Sequence, residues 1–111
     1  MIKSEINKLD KIWSLIIRKR GRCEKCGRRN ALQGAHIFSR RLKSTRYNLN
    51  NGVCLCAGCH RFWAHQNPVE FTDFVTKLKG EKVMNELRSL SQKKIKLFYD
   101  EVKASLEKEL K

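Results

Sequence analysis

The chain has 111 residues, of which 41% are apolar, and its 25 Lys and Arg against 11 Asp and Glu give a formal net charge of +14. That length allows one small core, thin enough that a bound metal is a usual aid to stability, and no run of eighteen apolar residues exists to cross a membrane. A pI near 10 points to an acidic polymer as partner, with nucleic acid ahead of a membrane surface.

The first twenty residues alternate charged and apolar side chains, the wrong pattern for a signal peptide. Over residues 4–19, Ile6, Leu9, Ile12, Trp13, Ile16 and Ile17 recur at three and four, which predicts one amphipathic helix starting near Ser4 and stopping at Gly21. Residues 22–30 read as a turn-rich knuckle. Residues 31–38 are a candidate strand, 39–51 a polar and basic loop, and 52–56 a second strand behind the Asn51-Gly52 turn signal. From Ala57 to His65 the pattern is helical. Asn67-Pro68 resets the chain, and a helix carrying Phe71, Phe74, Val75 and Leu78 runs to Gly80. Residues 81–89 and 91–110 continue at helical spacing. A single domain is expected: an N-terminal helix (1–20), a central module (21–66) and a helical tail (67–111). Trp13 and Trp63 could stack on bases, although at helical spacing both read more readily as core.

Charge and cysteine coincide in the central module. Between residues 18 and 46 there are eleven basic side chains and one acidic one, Glu24. Four of the five cysteines form two equal pairs, Cys23-Glu-Lys-Cys26 and Cys56-Ala-Gly-Cys59. Two such turns present four thiolates to one Zn2+, with no coordination position left for water, so the ion is expected to be structural. The 29 residues between Cys26 and Cys56 leave room for two strands and a loop. Cys54 is left over and reads as a small core residue.

His36 lies near the end of the first candidate strand, Asn51 precedes the second, and His60 follows Cys59. In Gly34-Ala35-His36-Ile37, in Asn51-Gly52-Val53-Cys54-Leu55-Cys56 and in Cys56-Ala57-Gly58-Cys59-His60 the chain resembles the HNH endonucleases, whose core is a ββα-metal (His-Me finger) module. The basic segment SRRLKSTRYNLNN, with NPVEFTDFV and GEKVMNEL beyond it, is similar to phage-type NinG-like recombination nucleases. The resemblance implies an α+β fold, a zinc-stabilised ββα-metal core carrying an N-terminal helix and C-terminal helices. It also implies a metal-dependent cleavage of DNA phosphodiester bonds, by nicking or cutting, in the cytoplasm of a bacterium or phage-infected host.

The chemistry fits these residue types. Hydrolysis needs an activated water and a cation for the developing charge. A neutral imidazole can take the proton from water, so His36 is assigned as general base. His60, held rigidly by the second knuckle, is assigned to a catalytic Mg2+ or Mn2+. Asn51 is explained equally by a tight turn; the resemblance implies that it orients the loop of the base or binds the cation. Arg40, Arg41, Lys43 and Arg46 are candidate DNA contacts, one arginine holding the scissile phosphate. Many family members carry Asp or His just before the base. Here that position is Ala35, so weak metal binding without DNA is expected. His65 lies five residues beyond His60, and on an α-helix the two rings would diverge. The rival reading is a zinc-knuckle nucleic-acid-binding protein without catalysis. A targeting protein partner and a monomeric or homodimeric state are both compatible with the sequence.

Overall fold

The structure, a computed structural model, describes residues 1–110. The N-terminal stripe forms α1, Lys3–Arg18, which buries Leu9, Trp13 and Ile17 at a spacing of four. It starts just ahead of Ser4, because the Glu5 carboxylate accepts the Ile2 N–H at 3.1 Å. The first cysteine turn then closes on itself. Its Gly27 has φ +81°, and the Cys23 N–H donates to the Arg28 carbonyl at 2.7 Å.

Two strands follow, β1 at Leu32–His36 and β2 at Gly52–Cys56. They pair antiparallel, with Leu32 opposite Cys56 and His36 opposite Gly52. Residues 39–51, expected as a loop, contain a four-residue helix, α2 (Lys43–Arg46), and a 3-10 turn at Leu49–Asn51. Neither is long enough to persist alone. Tertiary contacts hold them: Thr45 and Asn51 are fully buried.

Beyond Cys56 the chain winds into a wide helical segment, Cys59–Ala64. The His65 N–H reaches back five residues to the His60 carbonyl at 3.3 Å, the π-helical pattern. Three helices complete the chain: α3 (Pro68–Lys79), α4 (Glu81–Ser91) and α5 (Tyr99–Leu110). The expected helix over 91–110 is shorter than the sequence pattern implied. Residues 93–98 lie outside any helix. The break lets α5 turn back onto α1. No helix among the described residues is long and apolar enough to cross a membrane.

Period-two alternation divides the hairpin between two cores. Ala35, Val53 and Leu55 pack with Ala64, Val75, Met84 and Leu87 from the wide turn, α3 and α4. Cys54 packs with Leu9, Trp13, Ile17 and Leu106 from α1 and α5. The α1 side depends on glycine. Gly52 is extended, with φ −118°, so its role is not turn geometry. A Cβ there would come within 2.5 Å of Ile17 Cδ1 and 2.8 Å of Trp13 Cζ2. A Cβ on Gly34 would meet Trp13 Cζ3 at 3.0 Å. The two glycines form the seat on which the Trp13 indole lies. Gly52→Ala should therefore lower stability by about 1–3 kcal/mol through overpacking, read as a fall in the urea midpoint with an unchanged slope.

Candidate functional site

The four paired cysteines meet at the base of the hairpin. Their sulfurs all lie within 4.8 Å of one another, and Cys26 Sγ is 3.7 Å from Cys56 Sγ. Tetrahedral Zn–S bonds of ~2.3 Å put neighbouring sulfurs roughly 3.8 Å apart, so the spacing fits a zinc ion. Each turn also points an amide at its own first sulfur: Cys26 N–H to Cys23 Sγ at 3.5 Å, and Cys59 N–H to Cys56 Sγ at 3.4 Å. The thiols split in acidity as crowded groups do. Burial works against ionisation of Cys23, but backbone hydrogen bonds prevail and bring it down to about 7. Burial and hydrogen bonds among the sulfurs push Cys59 up. A divalent cation removes that conflict. Cys54 is fully buried on the α1 side, away from the cluster.

From this base β1 and the wide turn carry three histidines to one cavity of about 540 Å³, lined by His36, His60 and His65 together with Asp10, Trp13 and Arg40. The His36 ring lies flat on the Trp13 indole, with centroids 4.0 Å apart and planes at 7°. Its Nε2–H donates to the Arg46 carbonyl at 3.0 Å, a bond that assigns the tautomer and leaves Nδ1 with its lone pair. Burial lowers the His36 pKa; the Arg46 carbonyl opposes this and the Arg46 charge adds to it. Burial therefore favours the neutral ring.

Asn51 is fully buried and its side chain is satisfied by backbone alone. Its Oδ1 accepts the Phe38 N–H at 2.7 Å, and its Nδ2 donates to the Phe38 carbonyl at 3.1 Å and the Thr45 carbonyl at 3.0 Å. Its own carbonyl accepts the Ile37 N–H. Asn51 thus fastens the two residues after His36 to α2. It does not form an Asn-Gly hairpin turn.

His60 donates from Nδ1 to the Gln33 side-chain carbonyl at 2.8 Å, which leaves Nε2 as the free nitrogen. His65 is the departure from expectation. Five residues on an α-helix leave side chains about 140° apart, but the π-helical winding brings the two rings together, edge to face with centroids 4.7 Å apart. Burial lowers the His60 pKa, and the neighbouring His65 lowers it further. Ala35 is buried against the α3–α4 core, so the position before His36 contributes packing.

The basic residues separate into two groups. Arg46, expected at a phosphate, is turned inward: Nε and Nη2 donate to the two Asp10 carboxylate oxygens at 3.1 and 2.7 Å, and Nη1 donates to the Arg40 carbonyl at 3.0 Å. Arg20 is similarly engaged with Glu24 and with the Gly52 and Leu49 carbonyls. Arg40, Arg41 and Lys43 are exposed, and Arg40 lines the cavity. Trp63 packs edge to face on Phe71 and Phe74.

Residues 22–67 match the HNH endonuclease family. The matched span holds the four zinc-site cysteines, His36, Asn51, His60 and His65, and it supports the HNH family; the α+β architecture and cysteine cluster are consistent with its zinc-stabilised ββα core. No curated protein and no solved structure is detectably similar to the chain. Gln33 and the π-helical contact of His65 lie inside the HNH span, yet the sequence carried no signal for either. One zinc per chain is expected by elemental analysis. Cys56→Ser should lose it, and zinc should dissociate on acidification as protons compete for the thiolates.

Proposed function

We propose that the protein is a metal-dependent DNA endonuclease in which His36 is the general base. The observation that carries this reading is the His36 ring: stacked on Trp13, bonded at its edge through Nε2 to the Arg46 carbonyl so that Nδ1 is left unprotonated, and lining a cavity that an arginine also lines. A water between Nδ1 and a phosphodiester would lose its proton to His36 as its oxygen bonds phosphorus, and the P–O bond to the departing strand breaks. Asn51 holds the loop of the base in register. Arg40 offers a guanidinium to the phosphate, and Arg41 and Lys43 extend the basic surface along the DNA backbone.

His60 and His65 present imidazoles on the same side of the wide turn and would together hold one divalent cation. Such a cation supplies positive charge for the negative charge that develops on phosphate. The donor chemistry suits it, since Gln33 fixes the His60 tautomer with Nε2 free. Imidazole donors favour transition-metal ions over Mg2+, which prefers oxygen. The narrower resemblance to NinG-like recombination nucleases adds branched DNA to the substrates of interest. A non-catalytic zinc-knuckle binder would share the charge and the cysteines but has no use for a tautomer-fixed imidazole over an open cavity.

Supercoiled plasmid should be nicked in the presence of a divalent cation, and His36→Ala should reduce the rate by about 10²–10⁴-fold while DNA binding by mobility shift persists. Because burial lowers the His36 pKa, the rate should stay level through neutral pH and fall only below the ordinary histidine value of about 6.5. Equal cleavage by wild type and His36→Ala would remove His36 as the general base. His65→Ala should raise the metal concentration needed for half-maximal nicking by roughly 10–100-fold. Mn2+ or Ni2+ should support faster nicking than Mg2+ at equal concentration.

A further inference from the structure

The histidine cavity has a wall that the HNH match does not include. Asp10 and Trp13 belong to α1, outside residues 22–67. They are three apart and share a helix face, and both line the cavity. Each touches the apparatus around His36 differently. Trp13 stacks on the ring itself and is pinned by its own Nε1–H to the Asn48 carbonyl at 3.2 Å. Asp10 makes no hydrogen bond to the ring, although its charge acts on it. It grips the guanidinium of Arg46 with both carboxylate oxygens, and the backbone carbonyl of that same Arg46 receives the His36 Nε2–H.

Building on the nuclease reading above, we propose that Asp10 is a positioning residue for the general base: its two-pronged bond to Arg46 fixes the carbonyl that fixes the His36 tautomer, with Trp13 as the floor under the ring. Two alternatives for Asp10 are weaker on geometry. As a cation ligand it would share its carboxylate with Arg46, whose positive charge already lies against both oxygens at 3.1 and 2.7 Å. As a surface ion pair it would matter little, but a forked Arg–carboxylate pair in which each side chain is mostly covered, 18% and 30% exposed, carries directional constraint that a loose pair lacks. The third guanidinium nitrogen bonds the Arg40 carbonyl, so the pair also closes the loop from residue 40 to 46. That loop is otherwise a short helix with no cap from its own side chains. Without Asp10 the Arg46 carbonyl would be held less firmly, by α2 and its Arg40 contact alone, and His36 could exchange which nitrogen bears the proton.

The test uses the full chain with zinc bound and compares wild type, Asp10→Ala, Arg46→Met and the double variant. Nitrogen-15 NMR of the imidazole of His36 reads the tautomer directly. The expected result is an Nε2–H ring in the wild type and a mixture of tautomers in Asp10→Ala. Plasmid nicking should fall roughly 10–100-fold in kcat, with KM for DNA and the half-maximal metal concentration unchanged. The double variant should be no slower than either single one, as for groups that act as a unit. A folded Asp10→Ala that keeps the wild-type tautomer overturns the proposal, and a raised metal requirement overturns it in favour of direct ligation. If Asp10→Ala does not fold, Asp10→Asn, similar in volume and uncharged, is read in the same way. Should the wild type nick no DNA at all, the nuclease reading fails, yet the tautomer comparison still decides the role of Asp10.

Discussion

Four sulfurs confined within 4.8 Å are the constraint on which the arrangement depends. One pair precedes β1; the other ends β2 and opens the wide turn. An ion shared by them would tie the start of the module to the hairpin and to the His60 segment at once. A two-stranded hairpin is marginal in water without such support. Such an ion would act at a distance from the histidines, by fixing the elements that carry them. Glu24, beside the first sulfur, strengthens the join: its carboxylate accepts the Cys54 N–H and the Arg20 guanidinium, and its N–H donates to the Cys54 carbonyl.

The site above the ion is assembled from both faces of the hairpin. His36 lies opposite Gly52, where the absence of a side chain lets α1 approach. His60 comes from the wide turn and is held by Gln33 on β1. The apolar packing and the polar bonds are interlocked here, because the glycine seat that admits Trp13 also sets the plane on which the imidazole lies. Buried Asn51 completes the frame with backbone partners on all of its polar atoms, the condition under which a buried amide stabilises rather than destabilises.

Much of this frame is legible in the sequence. The cysteine pairs announce themselves by spacing, the strands by composition and the helices α1 and α3 by periodicity, all of which are local signals. His36, Asn51 and His60 are legible through their order between and just after the knuckles. What escapes is set by contacts between distant residues. Asp10 and Arg46 are 36 positions apart, Trp13 and Asn48 are 35 apart, and nothing in either neighbourhood marks the partner. Gly52 looks like a turn residue because Asn-Gly usually is one; only the approach of Ile17 and Trp13 reveals a different reason. The charge run misleads for Arg20 and Arg46 in the same way, since composition cannot distinguish a guanidinium facing solvent from one folded onto a carboxylate. His65 escapes because helical spacing was counted at 3.6 residues per turn, whereas this turn winds more widely.

That wider winding has a consequence for how such a centre can change. A helix that gains one residue in a single turn shifts everything downstream by a fraction of a revolution while leaving the upstream end where it was. Because Cys59 clamps the upstream end, the insertion is absorbed locally, and a side chain that would have faced elsewhere is delivered beside His60. Shortening the segment by one residue would return an ordinary pitch with the two imidazoles still adjacent, now four apart. Length and pitch compensate for one another here, so the pairing of the rings tolerates a change that would dismantle a site built on a uniformly wound rod.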